Sequence, residues 1–200
     1  MLLRNHGSMR FWLSVGLGLA LSAANGVLIV QNLTLKRELA ALSQQHNRDL
    51  EVKPGTVLST LAGVDEDGNY VTIKYREGQV ATVLLVFSPT CGWCTRNWPQ
   101  WQTLVGRLSD SRVRTIAASL SGSWTDWHAR EHRLNRAMLL GQLDPGAILT
   151  HHLLLTPQTI VIDRDGEVRG VWTGRLDRAR LREVESTLKA CYKKAPVVAR

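Results

Sequence analysis

Cysteine is scarce in this chain of 200 residues, which has only Cys91, Cys94 and Cys191. Three cysteines allow one pair and a leftover thiol, which argues against a disulfide-stapled scaffold. Long charge runs, internal repeats and low-complexity tracts are absent too. The net charge of +8 is scattered over the chain. Scattered charge attracts phosphates only unspecifically, so we predict no nucleic-acid partner, whereas an acidic partner or an anionic membrane surface fits equally well.

Charge is also missing from one long apolar stretch near the N-terminus, Phe11–Val30. Twenty residues of helix rise about 30 Å, the thickness of the hydrocarbon layer of a membrane. We predict a transmembrane anchor at residues 11–31 after a cytoplasmic N-terminus at residues 1–10. A cleaved signal peptide is the alternative, since Ser22 and Ala24 resemble a small-residue cleavage site.

Basic residues lie on both sides of this stretch, so their distribution does not fix its orientation. A helical stalk is predicted for residues 32–53, because leucines recur there on one helical stripe. Pro54-Gly55 should end the stalk. A globular domain at residues 54–192 and a tail at residues 193–200 complete the predicted organisation.

Strands and helices alternate in the predicted globular domain, which indicates an α/β sandwich with a central mixed sheet flanked by helices. An N-terminal hairpin precedes the segment that carries the cysteine pair. The predicted strands are Val57–Ala62, Tyr70–Tyr75, Ala81–Phe87, Val113–Ser119, Thr159–Asp163 and Glu167–Trp172. The predicted helices are Gly92–Leu108, Trp124–Leu140, a short one from Asp144-Pro145, and Asp177–Cys191.

The two closely spaced cysteines, Cys91 and Cys94, directly follow the apolar strand Ala81–Phe87. At the start of a helix, free backbone N–H groups favour a thiolate at Cys91, and Cys94 lies one turn later within reach. This arrangement suits a dithiol–disulfide couple. A structural disulfide would close too short a loop to stabilise much, and zinc would need two further ligands.

The motif Cys91-Gly92-Trp93-Cys94 resembles that of thioredoxin-like proteins, and in particular the membrane-tethered TlpA/ResA-type thiol-disulfide oxidoreductases. Pro99, eight residues after Cys91, and Thr156-Pro157 before a strand are similar to the family pattern as well. The resemblance implies that Cys91 and Cys94 are catalytic and form the redox-active disulfide. It implies that the peptide bond between Thr156 and Pro157 is cis and that backbone groups of Thr156 bind the substrate chain.

The same resemblance implies an extracytoplasmic, periplasmic enzyme that exchanges disulfides with protein thiols and disulfides and needs a redox donor or acceptor. It implies neither a cofactor nor a metal. Trp93 would either supply a flat apolar contact for the partner or shield Cys94. Two positions differ from the pattern: Leu85 stands where classical thioredoxins have a buried aspartate, and Asn97 where many cytochrome-maturation members have a glutamate.

Other interpretations stay open at this point. A non-catalytic thioredoxin-like module could bind a partner or a metal through the same face. The sequence from His128 to His132 fits the H-x-x-E-H zinc-protease motif, with Glu183 or Glu185 as third ligand, but so short a pattern arises easily by chance. We predict that His151 and His152 are surface residues, and that Cys191 is an inert thiol packed as a small apolar side chain.

Overall fold

The computed structural model describes residues 6–76, 79–108, 112–121, 134 and 137–194. The chain divides into two compact units, residues 1–49 and residues 50–200. The first unit contains helix α1, His6–Leu50, and the second contains the sheet and the cysteine pair.

Helix α1 continues without a break through the predicted anchor and into the predicted stalk. Its stretch Leu17–Leu39, 23 residues with a mean hydropathy of 1.4, is long and apolar enough to cross a membrane. A signal sequence near the N-terminus passes the same test of length and composition, so the stretch does not by itself separate an anchor from a cleaved leader. The helix ends four residues before Pro54.

The second unit is built on one mixed sheet of seven strands: β1 Leu61–Asp65, β2 Tyr70–Ile73, β3 Ala81–Phe87, β4 Val113–Ser119, β5 Ala137–Leu143, β6 Gln158–Asp163 and β7 Val168–Thr173. Their order in the sheet is β2-β1-β5-β4-β3-β6-β7. Strand β3 pairs in parallel with β4 and antiparallel with β6, while β4 and β5 are parallel. The outer pairs, β1 with β2 and β6 with β7, are antiparallel.

Strand β3 lies at the centre of two apolar cores because every one of its residues is buried. Its alternate side chains enter opposite cores: Leu85 packs into one with Cys94, and Leu84 into the other with Leu153. A strand covered on both faces needs a continuous apolar run, and ATVLLVF supplies it.

The described residues of this unit include the helices α2 Gly92–Arg107, α3 Pro145–Thr150 and α4 Arg178–Lys194. Helices α2 and α4 contribute to the same core as Leu85. The carboxylate of Asp144 caps α3 by accepting from the N–H of Ala147 at 3.0 Å, and Pro145 occupies the start of that helix.

Strands β3 and β4 have the bounds that the sequence predicts, and most of the other elements differ by one to three residues at an end. The main error is the C-terminal end of the predicted helix Trp124–Leu140. Its last residues belong to strand β5, Ala137–Leu143, and residues 124–133 lie outside the described part of the chain. Alanine, methionine and leucine favour helices, but pairing with β4 and β1 overrides that preference here. Strand β1 also begins four residues later than predicted, at Leu61.

Candidate active site

Cys91 lies where the chain leaves the buried strand β3 and enters helix α2. It is the N-cap of α2, with extended backbone angles (φ −85°, ψ 103°). Its sulfur accepts a hydrogen bond from the backbone N–H of Cys94 at 3.2 Å, and its own N–H donates to the carbonyl of Ser88 at 3.0 Å. A sulfur in this place satisfies a free N–H of the helix start, which stabilises negative charge on it.

The two thiols have different surroundings and opposite pKa shifts. Partial burial raises the pKa of Cys91, but hydrogen bonds to its sulfur from Cys94, from the Thr156 side chain and from backbone N–H groups outweigh that effect and lower it. For Cys94 burial dominates, and the hydrogen bond with Cys91 adds to it, so its pKa rises to about 12. Both cysteines are free thiols in this structure, Cys91 half-buried and Cys94 buried.

Thr156 and Pro157, which precede β6, are joined by a cis peptide bond, as the resemblance implied. The Cys91 sulfur lies 3.8 Å from the carbonyl oxygen of Thr156, within the range of a weak hydrogen bond from the thiol. On the other side, the carbonyl of Pro157 accepts from the N–H of Gly174 at 2.8 Å. The structure thus brings residues 65 positions apart in the sequence into contact at the reactive sulfur.

Trp93 lies between the two cysteines and turns outward, with 60% of its surface exposed. The guanidinium carbon of Arg96 lies 4.9 Å from the centre of its ring, a cation–π contact on one side of α2. Trp93 and Arg96 therefore place an aromatic surface and a positive charge close to Cys91 in the sequence. Burial of Cys94 comes instead from the sheet and the core beneath it.

The two positions that differ from the family pattern are both buried. Leu85 is fully enclosed in the core that contains Cys94. The side-chain carbonyl of Asn97 accepts from the N–H of Leu176 at 2.8 Å, while its Nδ2 is buried without a hydrogen-bond partner among the described residues. Asn97 therefore ties helix α2 to the segment after β7 and brings no acid to Cys94.

Most other predicted residues lie where the sequence places them, with one correction. Cys191, predicted as a packed thiol, is buried in α4, and burial raises its pKa. His152 is exposed. His151, predicted as a surface residue, is buried, and its Nε2 lies 2.9 Å from the carbonyl oxygen of Thr60. The hydrogen bond with this carbonyl gives the enclosed polar ring a partner.

The H-x-x-E-H segment, His128 to His132, lies outside the described residues. In the part of the chain that the structure describes, no three histidine, cysteine or carboxylate side chains lie together as a metal site would require.

Solved structures similar to this chain share its globular fold. The thioredoxin domain of a thiol-disulfide oxidoreductase from Bacteroides vulgatus is 20% identical, with a TM-score of 0.55, and the match covers 69% of this chain and 99% of that one. A putative thiol:disulfide interchange protein DsbE from Chlorobium tepidum is 16% identical, with a TM-score of 0.55 and coverage of 70% and 99%. The chain has a thioredoxin-like fold.

A putative thioredoxin from Neisseria meningitidis is similar in fold as well. It is 12% identical, with a TM-score of 0.57, and the match covers 70% of this chain and 93% of the other. No protein-family model matches the chain, and no curated protein matches its sequence. At such low identities the likeness establishes the thioredoxin-like fold, and the chemistry has to be argued from the residues of this chain.

Sequence reasoning missed several contributors to the site. Arg96 follows Trp93 at the i,i+3 spacing that brings helical side chains together, so the pattern contained that signal. Gly174 and Leu176 reach the site only because β7 pairs with β6 and returns the chain to α2. No local pattern in the sequence indicates such a contact.

Proposed function

We propose that this protein is a membrane-anchored, extracytoplasmic thiol-disulfide oxidoreductase that exchanges disulfides with protein substrates through Cys91 and Cys94. The observation that carries the proposal is the position of the Cys91 sulfur. It is half-buried, stabilised as a thiolate by the helix start, and 3.8 Å from the backbone of Thr156. A sulfur with these properties is a nucleophile that a substrate chain can approach.

The proposed reaction divides the work between the two thiols. The Cys91 thiolate attacks one sulfur of a substrate disulfide, forms a mixed disulfide and releases the other substrate sulfur as a thiolate. Cys94 then loses its proton and attacks the Cys91 sulfur, which releases the second substrate thiolate and leaves a Cys91–Cys94 disulfide. Two electrons pass to the substrate. One of its two thiolates takes up the proton lost by Cys94, and the other takes up a proton from solvent, equal to the one that Cys91 released when it ionised. An external dithiol must then reduce the pair, and the same steps run backwards oxidise a substrate.

The high pKa of Cys94 supports this division. A thiol with a pKa of about 12 is protonated at neutral pH, so Cys94 does not compete with Cys91 for the first attack. Once Cys91 is in a mixed disulfide, proximity raises the effective concentration of Cys94 at that bond.

The proposed cellular arrangement rests on the N-terminal helix. An apolar stretch of membrane-spanning length before a redox domain fits an anchor at residues 11–31, with a cytoplasmic N-terminus at residues 1–10 and the thiols outside the cytoplasm. In this arrangement residues 32–53 are a spacer, residues 54–192 the redox domain and residues 193–200 a tail. Protein thiols and disulfides of that compartment are the proposed substrates.

The competing proposal is a thioredoxin-like module that binds a partner or a metal without turnover. The two are distinguished by equilibrating the full-length protein with glutathione buffers and by measuring reduction of insulin by dithiothreitol. We expect Cys91 and Cys94 to convert together between dithiol and disulfide, and insulin reduction to accelerate. The Cys91→Ala variant should lose this acceleration, whereas Cys191→Ala, which removes a thiol outside the pair, should keep it. A pair that stays reduced across all buffers and gives no acceleration would support the binding module.

A further inference from the structure

Trp93 and Arg96 form an exposed surface beside the reactive sulfur, which we call the Trp93–Arg96 platform. Both residues are on α2, three positions apart, and the guanidinium carbon lies 4.9 Å from the ring centre. Trp93 belongs to the Cys-Gly-Trp-Cys motif, so the platform begins one residue from Cys94 and two from Cys91. A substrate chain that reaches Cys91 therefore passes close to the platform.

The exposure of Trp93 indicates a contact surface. Two other tryptophans of the same helix, Trp98 and Trp101, are 3% and 0% exposed, whereas Trp93 is 60% exposed. Trp93 therefore presents a large apolar area to solvent at the position where a partner must dock. Aromatic residues in such places provide much of the binding energy at protein interfaces.

The charge that Arg96 places beside Trp93 is positive. The first turn of α2, residues 92–95, contains no acidic side chain. Arg96 has no carboxylate within ion-pair distance among the described residues. On either side of Leu176, which is hydrogen-bonded to Asn97 of the same helix, the exposed Arg175 and Asp177 offset each other. The loop from Ser88 to Thr90 is neutral. A partner segment with negative charge complements this surface.

We propose that the Trp93–Arg96 platform makes the protein selective for substrate segments that carry carboxylates next to the reacting cysteine. This inference rests on the proposed function and adds a substrate class to it. An acidic neighbour of the substrate cysteine approaches the Arg96 guanidinium, while its aliphatic carbons cover the exposed Trp93 ring. The selectivity is electrostatic, so it acts on association and weakens with salt.

The test uses three peptides that differ only in the residues flanking one cysteine: Glu-Cys-Glu, Gln-Cys-Gln and Lys-Cys-Lys. Each cysteine is activated as a disulfide with neutral 2-thiopyridine. Attack by Cys91 on the peptide sulfur forms a mixed disulfide and releases 2-thiopyridone, which is followed by its absorbance. Rates with the full-length reduced protein are divided by the rates with 2-mercaptoethanol, so that differences in the intrinsic reactivity of the peptides cancel.

For the wild type we expect the acidic peptide to react about fivefold faster than the neutral one, the upper range for an exposed ion pair, and the basic peptide to react slowest. The differences should shrink at high salt. Arg96→Glu should reverse the order of the acidic and basic peptides. Lys189→Glu makes the same charge change on α4, at the surface shared with Arg107 near the other end of α2, and should keep the wild-type order.

Equal corrected rates for the three peptides, or an Arg96→Glu variant that retains the wild-type order, would overturn the proposed selectivity and leave thiol exchange intact. A reduced wild type that releases no more 2-thiopyridone than Cys91→Ala with any of the peptides would instead overturn the proposed function, and the selectivity with it.

Discussion

At the scale of single residues, two identical side chains acquire different chemistry from their places on one helix. The sulfur of Cys91 accepts the N–H of Cys94 at the helix start, whereas Cys94 is only 3% exposed and lies over the apolar strand β3. Hydrogen bonding to the charged form lowers a pKa, and loss of water around the charged form raises it. The proposed nucleophile, Cys91, and the proposed resolving thiol, Cys94, differ by these two effects.

This contrast predicts the pH dependence of alkylation. Only the thiolate reacts with iodoacetamide, so the Cys91 rate should fall as the pH drops through its lowered pKa, with half-maximal reactivity below the ordinary value of about 8.5. Cys94, with a pKa of about 12, should remain nearly unreactive at neutral pH. Peptide-resolved mass spectrometry at a series of pH values measures both.

The Cys94→Ala variant serves as the control for this experiment. It removes the side-chain hydrogen bond that lowers the pKa of Cys91, so the Cys91 profile should move to higher pH. A Cys91 profile centred above 8.5 in the wild type, or one unchanged in the variant, would contradict the assignment of the nucleophile.

Much of the site could be predicted from residues alone, because a redox pair at the start of a helix and an X-Pro before a strand are local patterns. The burial of His151 and the Asn97–Leu176 hydrogen bond could not, since both depend on segments far apart in the chain. Local composition does not encode which distant carbonyl or N–H group lies opposite a polar side chain.

At the scale of elements, the contact between α2 and β6 holds the cysteine helix against the strand that follows the cis-proline. The buried Trp101 donates from Nε1 to the Thr159 hydroxyl at 2.8 Å, and its ring packs edge-on against Trp98 at a centroid distance of 5.4 Å. The position of helix α2, which carries the cysteine pair, therefore depends on this buried polar contact as well as on apolar packing.

The Trp101→Phe variant tests the strength of that contact. Phenylalanine leaves a cavity and an unpaired Thr159 hydroxyl, so we expect the free energy of unfolding to fall by about 2 to 3 kcal/mol. Denaturant unfolding of the full-length protein, followed by circular dichroism, gives this value. The exposed Trp93→Phe change is the matched control and should alter stability by no more than about 0.5 kcal/mol. Equal effects of the two changes would show that the buried contact contributes little.

The elements also show where sequence patterns fail. Strand β3 was predictable because its seven residues are apolar except for Thr82, a run that suits a strand buried on both faces. Strand β5 was not, because its alanine, methionine and leucines are good helix formers and follow a segment that was predicted to be helical. Only pairing with strands β4 and β1 decides between helix and strand for this segment.

At the scale of the whole molecule, an apolar helix precedes a domain with a thioredoxin-like fold in a chain with a net charge of +8. Disulfides persist outside the cytoplasm, where a tethered dithiol exchanger has substrates. The distribution of charges around the apolar stretch does not determine which of its ends faces the cytoplasm. We therefore infer its orientation from the proposed chemistry of the thiols.

A topology experiment tests the proposed arrangement. A reporter that is active only outside the cytoplasm, fused after Arg200, should be active, and the protein should remain in the membrane fraction at full length. Moving the fusion point to residue 10, before the apolar stretch, provides the control and should give no activity. Activity at residue 10 alone would reverse the orientation, and a shortened soluble product would indicate a cleaved leader.

The most direct test of the central claim is the capture of a covalent intermediate. In the Cys94→Ala variant, Cys91 can still attack a disulfide, but no second thiol releases it. Incubated with oxidised insulin and analysed on non-reducing gels and by mass spectrometry, this variant should accumulate a mixed disulfide through Cys91, whereas Cys91→Ala should not. Adducts through Cys94 in the Cys91→Ala variant would exchange the two roles, and the absence of any adduct with either variant would contradict the oxidoreductase function.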